Sequence, residues 1–370
     1  MKRNVDVRKP CAICLTLFAA FVIQARSQES APLQLVQTIP MPGVRGRMDH
    51  LAVDIEGKRL FAAALGDNQN TVEVLDLKAG KRVFSIPGQS KPQGVFYSAD
   101  FKRLFVANGG GGESIVTGEG TVKIFTGDTY KLLDSFPVGT DADHVGYDPA
   151  TKYLYVGVGT SKSGALAIID TRTNKHIGDI NTPAGPGGIM IEKSGPRIFI
   201  KYRRSATLGV VDREQRTVIA TWPVTGVQTV GSTVAAGTPV FSSGPLALDE
   251  SHHRLFDMTR NPPMLLVFDT ESGKQITQLE GVPGNDDLWY DAAHKRIYSS
   301  GGRESIAGSI PGFVYVYQQG DADHYKLIAK VPTRPNAQTS IWVPEFNRYY
   351  VSASGNDKQD AAILVFEPEP

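Results

Sequence analysis

The sequence predicts an all-β protein: a seven-bladed β-propeller of four-stranded antiparallel blades. Three observations carry that expectation. One hairpin signal recurs seven times, and its copies start 42–57 residues apart, the period of a four-stranded blade. Amphipathic helical periodicity is missing throughout.

The signal is a tight polar turn, a Lys or Arg, then Leu, Ile or Tyr beside an aromatic. It reads DIEGKRLF (54–61), SADFKRLF (98–105), DPATKYLY (148–155), EKSGPRIF (192–199), DESHHRLF (249–256), DAAHKRIY (291–298) and VPEFNRYY (343–350). Each polar turn stands between short runs rich in β-branched and aromatic residues, which is how a hairpin is written. A third run follows in every unit, such as TVEVLD, TVKIFT, LAIID and LLVFD. Turns such as LKAGK, TRTNK and TESGK then lead to a fourth strand. The seventh unit ends at LVFEPEP without its fourth strand, while LQLVQTIPMPG (33–43) has the pattern of KQITQLEGVPG (274–284). The N-terminal strand is therefore expected to complete the C-terminal blade and leave no open sheet edge.

These units resemble the YVTN-type β-propeller repeats of exported bacterial proteins, over nearly the whole chain after residue 27. The name-giving tetrapeptide is closest at FVAN (105–108), YVGV (155–158) and YVSA (350–353). Units four to six depart from it with FIKY, FDMT and YSSG. The resemblance implies the fold; such propellers serve diverse roles, so it implies no activity.

Ahead of the repeats, Lys2, Arg3, Arg8 and Lys9 form a basic head, residues 11–23 an apolar run, and Ala25 to Ser27 a small-residue cleavage context. That is the pattern of an export signal spanning 1–27, too short in its apolar run to cross a bilayer. The expectation is a single domain over 28–370, periplasmic or secreted, with no membrane insertion after cleavage. Both cysteines, Cys11 and Cys14, fall inside the signal, so no disulfide or thiolate chemistry is expected beyond it. Removing 1–27 deletes five basic and one acidic residue and takes the net charge from +1 to −3. No basic tract remains, and a nucleic-acid partner is not expected.

Irregular sequence gathers on one rim, the side of the strand-two-to-three loops and of the connections into each innermost strand. NGGGGESIVTGEG (108–120), TGVQTVGSTVAAGTPVFSSG (225–244) and SGGRESIAGSIPG (300–312) all read as insertions there, and long loops on a rigid scaffold are where binding residues sit. The same rim receives the residues that reach the axis: His50, Gly94, His144, Gly188, Pro245, Asp287 and Thr339, preceded by Asp49, Gln93, Asp143, Gly187, Gly244, Asp286 and Gln338. The candidate binding set is His50, His144, Asp49, Asp143, Asp286, Asp287, Gln93 and Gln338, with Arg303 from the third insertion. His50, His144 and Asp287 are the candidate ligands of a divalent ion, calcium, zinc or manganese. The competing reading is structural, an Asp-His step that ties neighbouring blades together. Lys201, Arg203 and Arg204 form the one compact basic cluster, suited either to an acidic ligand or to solvent. The second DADH (321–324) falls in a three-to-four turn on the opposite rim and reads as a solvated turn.

No complete catalytic set emerges. There is no Cys-x-x-Cys-His for haem and no nucleophile elbow. DTESGKQI (269–276) is similar to the repeated segment of pyrroloquinoline-quinone propellers, but Ile276 stands where that segment ends in Trp. The leading expectation is thus a non-catalytic, monomeric binding module for a protein partner or small ligand at the loop-rich face. Its rival is a metal-dependent lactonase or lyase at the channel mouth, where a bound ion would polarise a carbonyl or activate water.

Overall fold

Period-two alternation and short turns fold each unit into one antiparallel sheet, seen in a computed structural model. The structure describes Met1 and residues 31–66, 69–111, 118–225, 244–260, 262–305 and 308–369; the export signal expected over 1–27 lies, but for Met1, outside the described residues. These hold 28 strands in seven four-stranded sheets. The first sheet runs outward as β2 (Arg47–Asp54), β3 (Arg59–Gly66), β4 (Gln69–Asp76) and β5 (Lys81–Ile86). The order repeats from β6 (Pro92–Ser98) to β9 (Leu132–Thr140), β10 (Val145–Asp148) to β13 (Lys175–Thr182) and β14 (Pro186–Ile191) to β17 (Thr217–Pro223). It continues from β18 (Leu246–Asp249) to β21 (Gln275–Glu280) and β22 (Asp287–Asp291) to β25 (Tyr325–Pro332). The last sheet joins β26 (Ser340–Val343), β27 (Arg348–Ala353) and β28 (Ala361–Pro368) to β1 (Leu33–Met41), which pairs from Leu33 opposite Pro368 to Met41 opposite Ala361. The innermost strands touch in cyclic order, β2 with β6 through to β26, and β26 again with β2.

Blades pack face to face, so middle strands are buried on both sides and read as continuous apolar runs. Seven apolar clusters result, each drawn from two adjacent blades. The Leu-aromatic step of the hairpin signal feeds two of them at once, because successive strand residues point to opposite faces. Leu60 enters the interface with the last blade and Phe61 the interface with the second, both fully buried. Outer strands instead alternate with solvent, as in β25.

The Arg of that signal has a separate task. Arg59 reaches Tyr130 Oη at 2.8 Å, Arg103 reaches Asn174 Oδ1 at 2.7 Å, and Arg197 reaches the Thr270 carbonyl at 2.7 Å. Arg254 donates to the Ala322 carbonyl at 3.0 Å, and Arg296 to that of Pro32 at 3.1 Å. Each partner belongs to the next blade's three-to-four turn or, for Arg296, to the start of β1. These arginines bolt the turn rim together.

One expected insertion is corrected. The described residues of 300–312 are paired strand rather than open loop: β23 (Arg296–Ser305) and β24 (Gly308–Gln319) stay paired out to Ser305 opposite Gly308, past a register shift at Gly301 to Arg303. Gly302 absorbs that shift at φ +130°, where a side chain would be strained. Of the other two insertions, residues 112–117 and 226–243 lie outside the described residues.

Candidate functional site

Bulges aim the axial residues. The pairing of β2 with β3 slips between Met48 and Leu51, which leaves Asp49 and His50 out of the ladder; the β6–β7 pairing slips likewise around Gln93 and Gly94. Ahead of β10, the Asp143 amide donates to the Gly157 carbonyl, and the Gly157 amide donates to that of His144. Two residues thus oppose one, and such a kink re-aims side chains. Gly94 is required here, since a Cβ on it would collide with the Asp143 carbonyl oxygen.

His50 and His144 come from blades one and three, yet their rings meet edge to face with centroids 4.3 Å apart. Asp287 of the sixth blade lies 3.1 Å from His50 Nδ1, and its other oxygen accepts the Ser340 amide at 2.8 Å. An ionised carboxylate only accepts, so Nδ1 carries the proton in that contact. His50 Nε2 then faces Asp143 Oδ1 at 3.5 Å and Asp49 Oδ1 at 3.6 Å, both too long for a hydrogen bond. His50 Nε2, Asp49 Oδ1, Asp143 Oδ1 and both ring nitrogens of His144 are buried without a hydrogen-bond partner.

Around this knot stands a ring of cations. Arg47 donates to Asp49 Oδ2 at 3.0 Å and to Asp286 at 3.3 Å; Arg260 holds the other oxygen of Asp286. Arg203 donates to Asp143 Oδ2 at 2.9 Å and pairs with Asp141, whose Oδ1 accepts from Lys91 at 2.8 Å. The charges set the protonation of the knot. Burial works against the His50 imidazolium, but Asp287, Asp49 and Asp143 together hold its pKa well above the ordinary value. Burial pushes Asp49 up to about 6 against the pull of Arg47 and His50. Burial would also raise Asp143, yet His144 and Arg203 keep it well below the usual carboxylate range.

The knot separates two spaces. Toward the rim of the strand-two-to-three connections lies a funnel of about 380 Å³, lined by Arg47, Lys91, Arg203, Arg204 and Arg260 together with Asp141, Asp143, Asp286, Gln93, Thr160 and Ser161. Toward the turn rim lies a bore of about 420 Å³ walled largely by apolar side chains, among them Val53, Val95, Ile191, Leu288 and Trp289. His144 borders both.

Six of the candidate residues therefore converge: Asp49, His50, Asp143, His144, Asp286 and Asp287. Gln93 joins the funnel wall and donates to the Ala142 carbonyl at 3.2 Å. Gln338 lines neither space; its carbonyl accepts from Ser300 Oγ at 2.9 Å. Arg303 sits in β23 opposite Ile310, and its side chain lies outside the described residues. The basic cluster is corrected as well. Lys201 is fully buried and paired with Asp257 at 3.0 Å, and Arg203 is tied down in the funnel wall rather than solvated. Sequence reasoning missed Arg47, Lys91, Asp141 and Arg260. Arg47 and Asp141 each stand two residues before an axial Asp, a signal that could have marked them.

Seven four-stranded blades in a ring, with a charged axial mouth, define the class: a seven-bladed β-propeller. No family model matches the chain, and no curated protein matches it. Among solved structures, a chain of the mitotic checkpoint complex aligns with a TM-score of 0.67 at 12% identity, over 98% of this chain and 99% of that one. The β-propeller domain of Swd1 from Myceliophteria thermophila aligns with a TM-score of 0.63 at 13% identity, over 91% and 100%. The WD40 repeats of RRP9 align with a TM-score of 0.65 at 10% identity, over 92% and 98%. These likenesses show the fold.

Proposed function

We propose that this chain is an exported, monomeric YVTN-type propeller that binds a protein segment or small ligand at its loop-rich mouth, without chemistry of its own. The observation that carries the reading is the funnel. Five basic side chains against three carboxylates line it, so its wall favours an occupant bearing carboxylate or phosphate groups. The opposite rim offers short turns, bolted blade to blade. A structural neighbour belonging to the mitotic checkpoint complex is compatible with a propeller working inside an assembly. The basic head and apolar run of residues 1–27 support export.

The test compares the two rims. A photo-crosslinking residue is placed at Ser161 in the funnel or at Asp321 on the turn rim, and protein lacking residues 1–27 is exposed to cell-envelope extract. Adducts are expected at position 161, diminished by Arg204→Ala, and not at 321. Equal labelling at both positions would sink the reading.

A second reading, a metal-assisted hydrolase or lyase at the same mouth, is favoured by one observation. Ligand atoms of His50, Asp143 and His144 all lie within 4.8 Å of one another.

A further inference from the structure

We propose that His50 Nε2, Asp143 Oδ1 and one ring nitrogen of His144 bind a divalent transition ion of the zinc type at the floor of the funnel, and that Asp287 positions His50 rather than ligating the ion. The inference deepens the binding reading, since it places a charged anchor beneath the funnel.

Each donor is held from behind and presents a spare atom forward. Asp287 accepts a hydrogen bond from His50 Nδ1 and leaves Nε2 facing inward without a hydrogen-bond partner. Arg203 takes Oδ2 of Asp143 and leaves Oδ1. Arg47 does the same for Asp49, whose Oδ1 is the nearest further donor. Neither ring nitrogen of His144 makes a hydrogen bond, and its Nδ1 lies 3.6 Å from Asp143 Oδ2. A carboxylate behind an imidazole is the usual way a metal-binding histidine is oriented.

Distances discriminate between occupants. Zinc bonds of 2.0–2.1 Å in tetrahedral array set donors about 3.4 Å apart. His50 Nε2 lies 3.5 Å from Asp143 Oδ1 and 3.6 Å from Asp49 Oδ1, long for hydrogen bonds and close to that edge. A nitrogen facing two carboxylate oxygens at this range calls for positive charge between them, and a bound ion would take the place of the Nε2 proton. Two imidazoles select a borderline ion over calcium, which prefers oxygen alone. Two histidines and one carboxylate also match the donor count of zinc sites that keep a position open. Here that position would face the funnel and its basic wall, where an anionic oxygen could reach it.

Calorimetry with zinc chloride tests this on untagged protein lacking residues 1–27 and stripped with chelator. One ion per chain is expected at micromolar or tighter affinity, with calcium chloride giving no comparable heat. His144→Ala should weaken zinc at least 100-fold, and since the His144 ring makes no hydrogen bond its loss should leave the fold intact. Asp287→Ala should weaken zinc roughly 10–100-fold, while Asp287→Asn, which keeps an acceptor for Nδ1–H, loses less. Cobalt substitution should give the strong visible absorption of a four-coordinate ion, altered in Asp287→Ala. His324→Ala, on the opposite rim, should change nothing. No zinc heat in the wild type would overturn the proposal in favour of a proton shared among His50 and its carboxylates. Undiminished binding in His144→Ala would overturn it too. Because the probe is the metal alone, either failure leaves the crosslinking result at Ser161 standing.

Discussion

The tetrapeptide Asp-Ala-Asp-His occurs twice, at 141–144 and at 321–324, and the two copies live in opposite worlds. At the mouth, Asp141 is 5% exposed and sandwiched between Lys91 and Arg203, while His144 packs on the ring of His50. On the turn rim, the Asp321 and His324 side chains are 63% and 82% exposed. There Asp321 accepts the amides of Asp323 and His324 and the His324 Nδ1, all within one turn. Identical letters make a charged knot in one place and a local turn in the other. Position on the ring decides: the first copy precedes an innermost strand and meets other blades, and the second links two outer strands.

The widest expected gap between the copies is at their first letter. Asp141→Ala leaves Lys91 buried with no carboxylate partner and takes one of two from Arg203. Stripping one partner from a buried pair costs about 3–5 kcal/mol. A denaturant midpoint lowered by that amount is the outcome to look for, and an unchanged midpoint would mean that Lys91 finds water or another acceptor. Next in size is Arg254→Ala. This largely buried side chain donates to Asp323 at 2.7 Å, to the Ala322 carbonyl at 3.0 Å and to Asp269 at 2.7 Å. Bonds to charged groups are worth about 1.5–3 kcal/mol each where well buried, less where solvent screens them, so a loss of roughly 2 kcal/mol is expected. Such a loss would show that the turn-rim copy is fixed through its neighbour's arginine and not by its own histidine.

How much of this contrast was legible beforehand follows from the same logic. The hairpin signal is local, and its apolar step and turn chemistry made the blades readable, including the pairing partner of residues 33–43. The rim assignment also followed, because blade topology alone puts 321–324 opposite 141–144. The contacts of the knot were not legible. His50 and Asp287 are 237 residues apart in sequence, and whether axial side chains meet depends on ring diameter and on the bulges that leave Asp49 and His50 outside the ladder. Lys201 was misread for a related reason. Its charge suggested solvent, but as a middle-strand residue it faces Asp257 across a blade interface. The Gly-rich stretch 300–312 resembled a loop because glycine there serves a register shift inside a continuing hairpin.

Acid sharpens the comparison further. Burial opposes the Asp286 carboxylate, but Arg260 and Arg47 hold its pKa below the ordinary 3.8. This carboxyl therefore binds fewer protons in the folded chain than in the unfolded one just below pH 4. Its contribution to stability is full above that pH and is lost as pH falls through the folded value. Unfolding measured from pH 6 downward should show this loss, and Arg260→Ala should flatten it. A pH profile identical in the variant would assign the acid sensitivity to other carboxylates.

The smallest effect expected is the counterpart of the first. Asp321→Ala removes the acceptor of two turn amides and of one exposed histidine, all of which water can replace at little net change. The Asp321 carboxyl is held below its usual range, first by the Asp323 amide and then by His324, but it is mostly exposed to solvent. Faster amide exchange at Asp323 and His324 with an unmoved denaturation midpoint is the expected result. A midpoint that fell as far as in Asp141→Ala would show that the turn rim, and not burial at the axis, gives this tetrapeptide its weight in the fold.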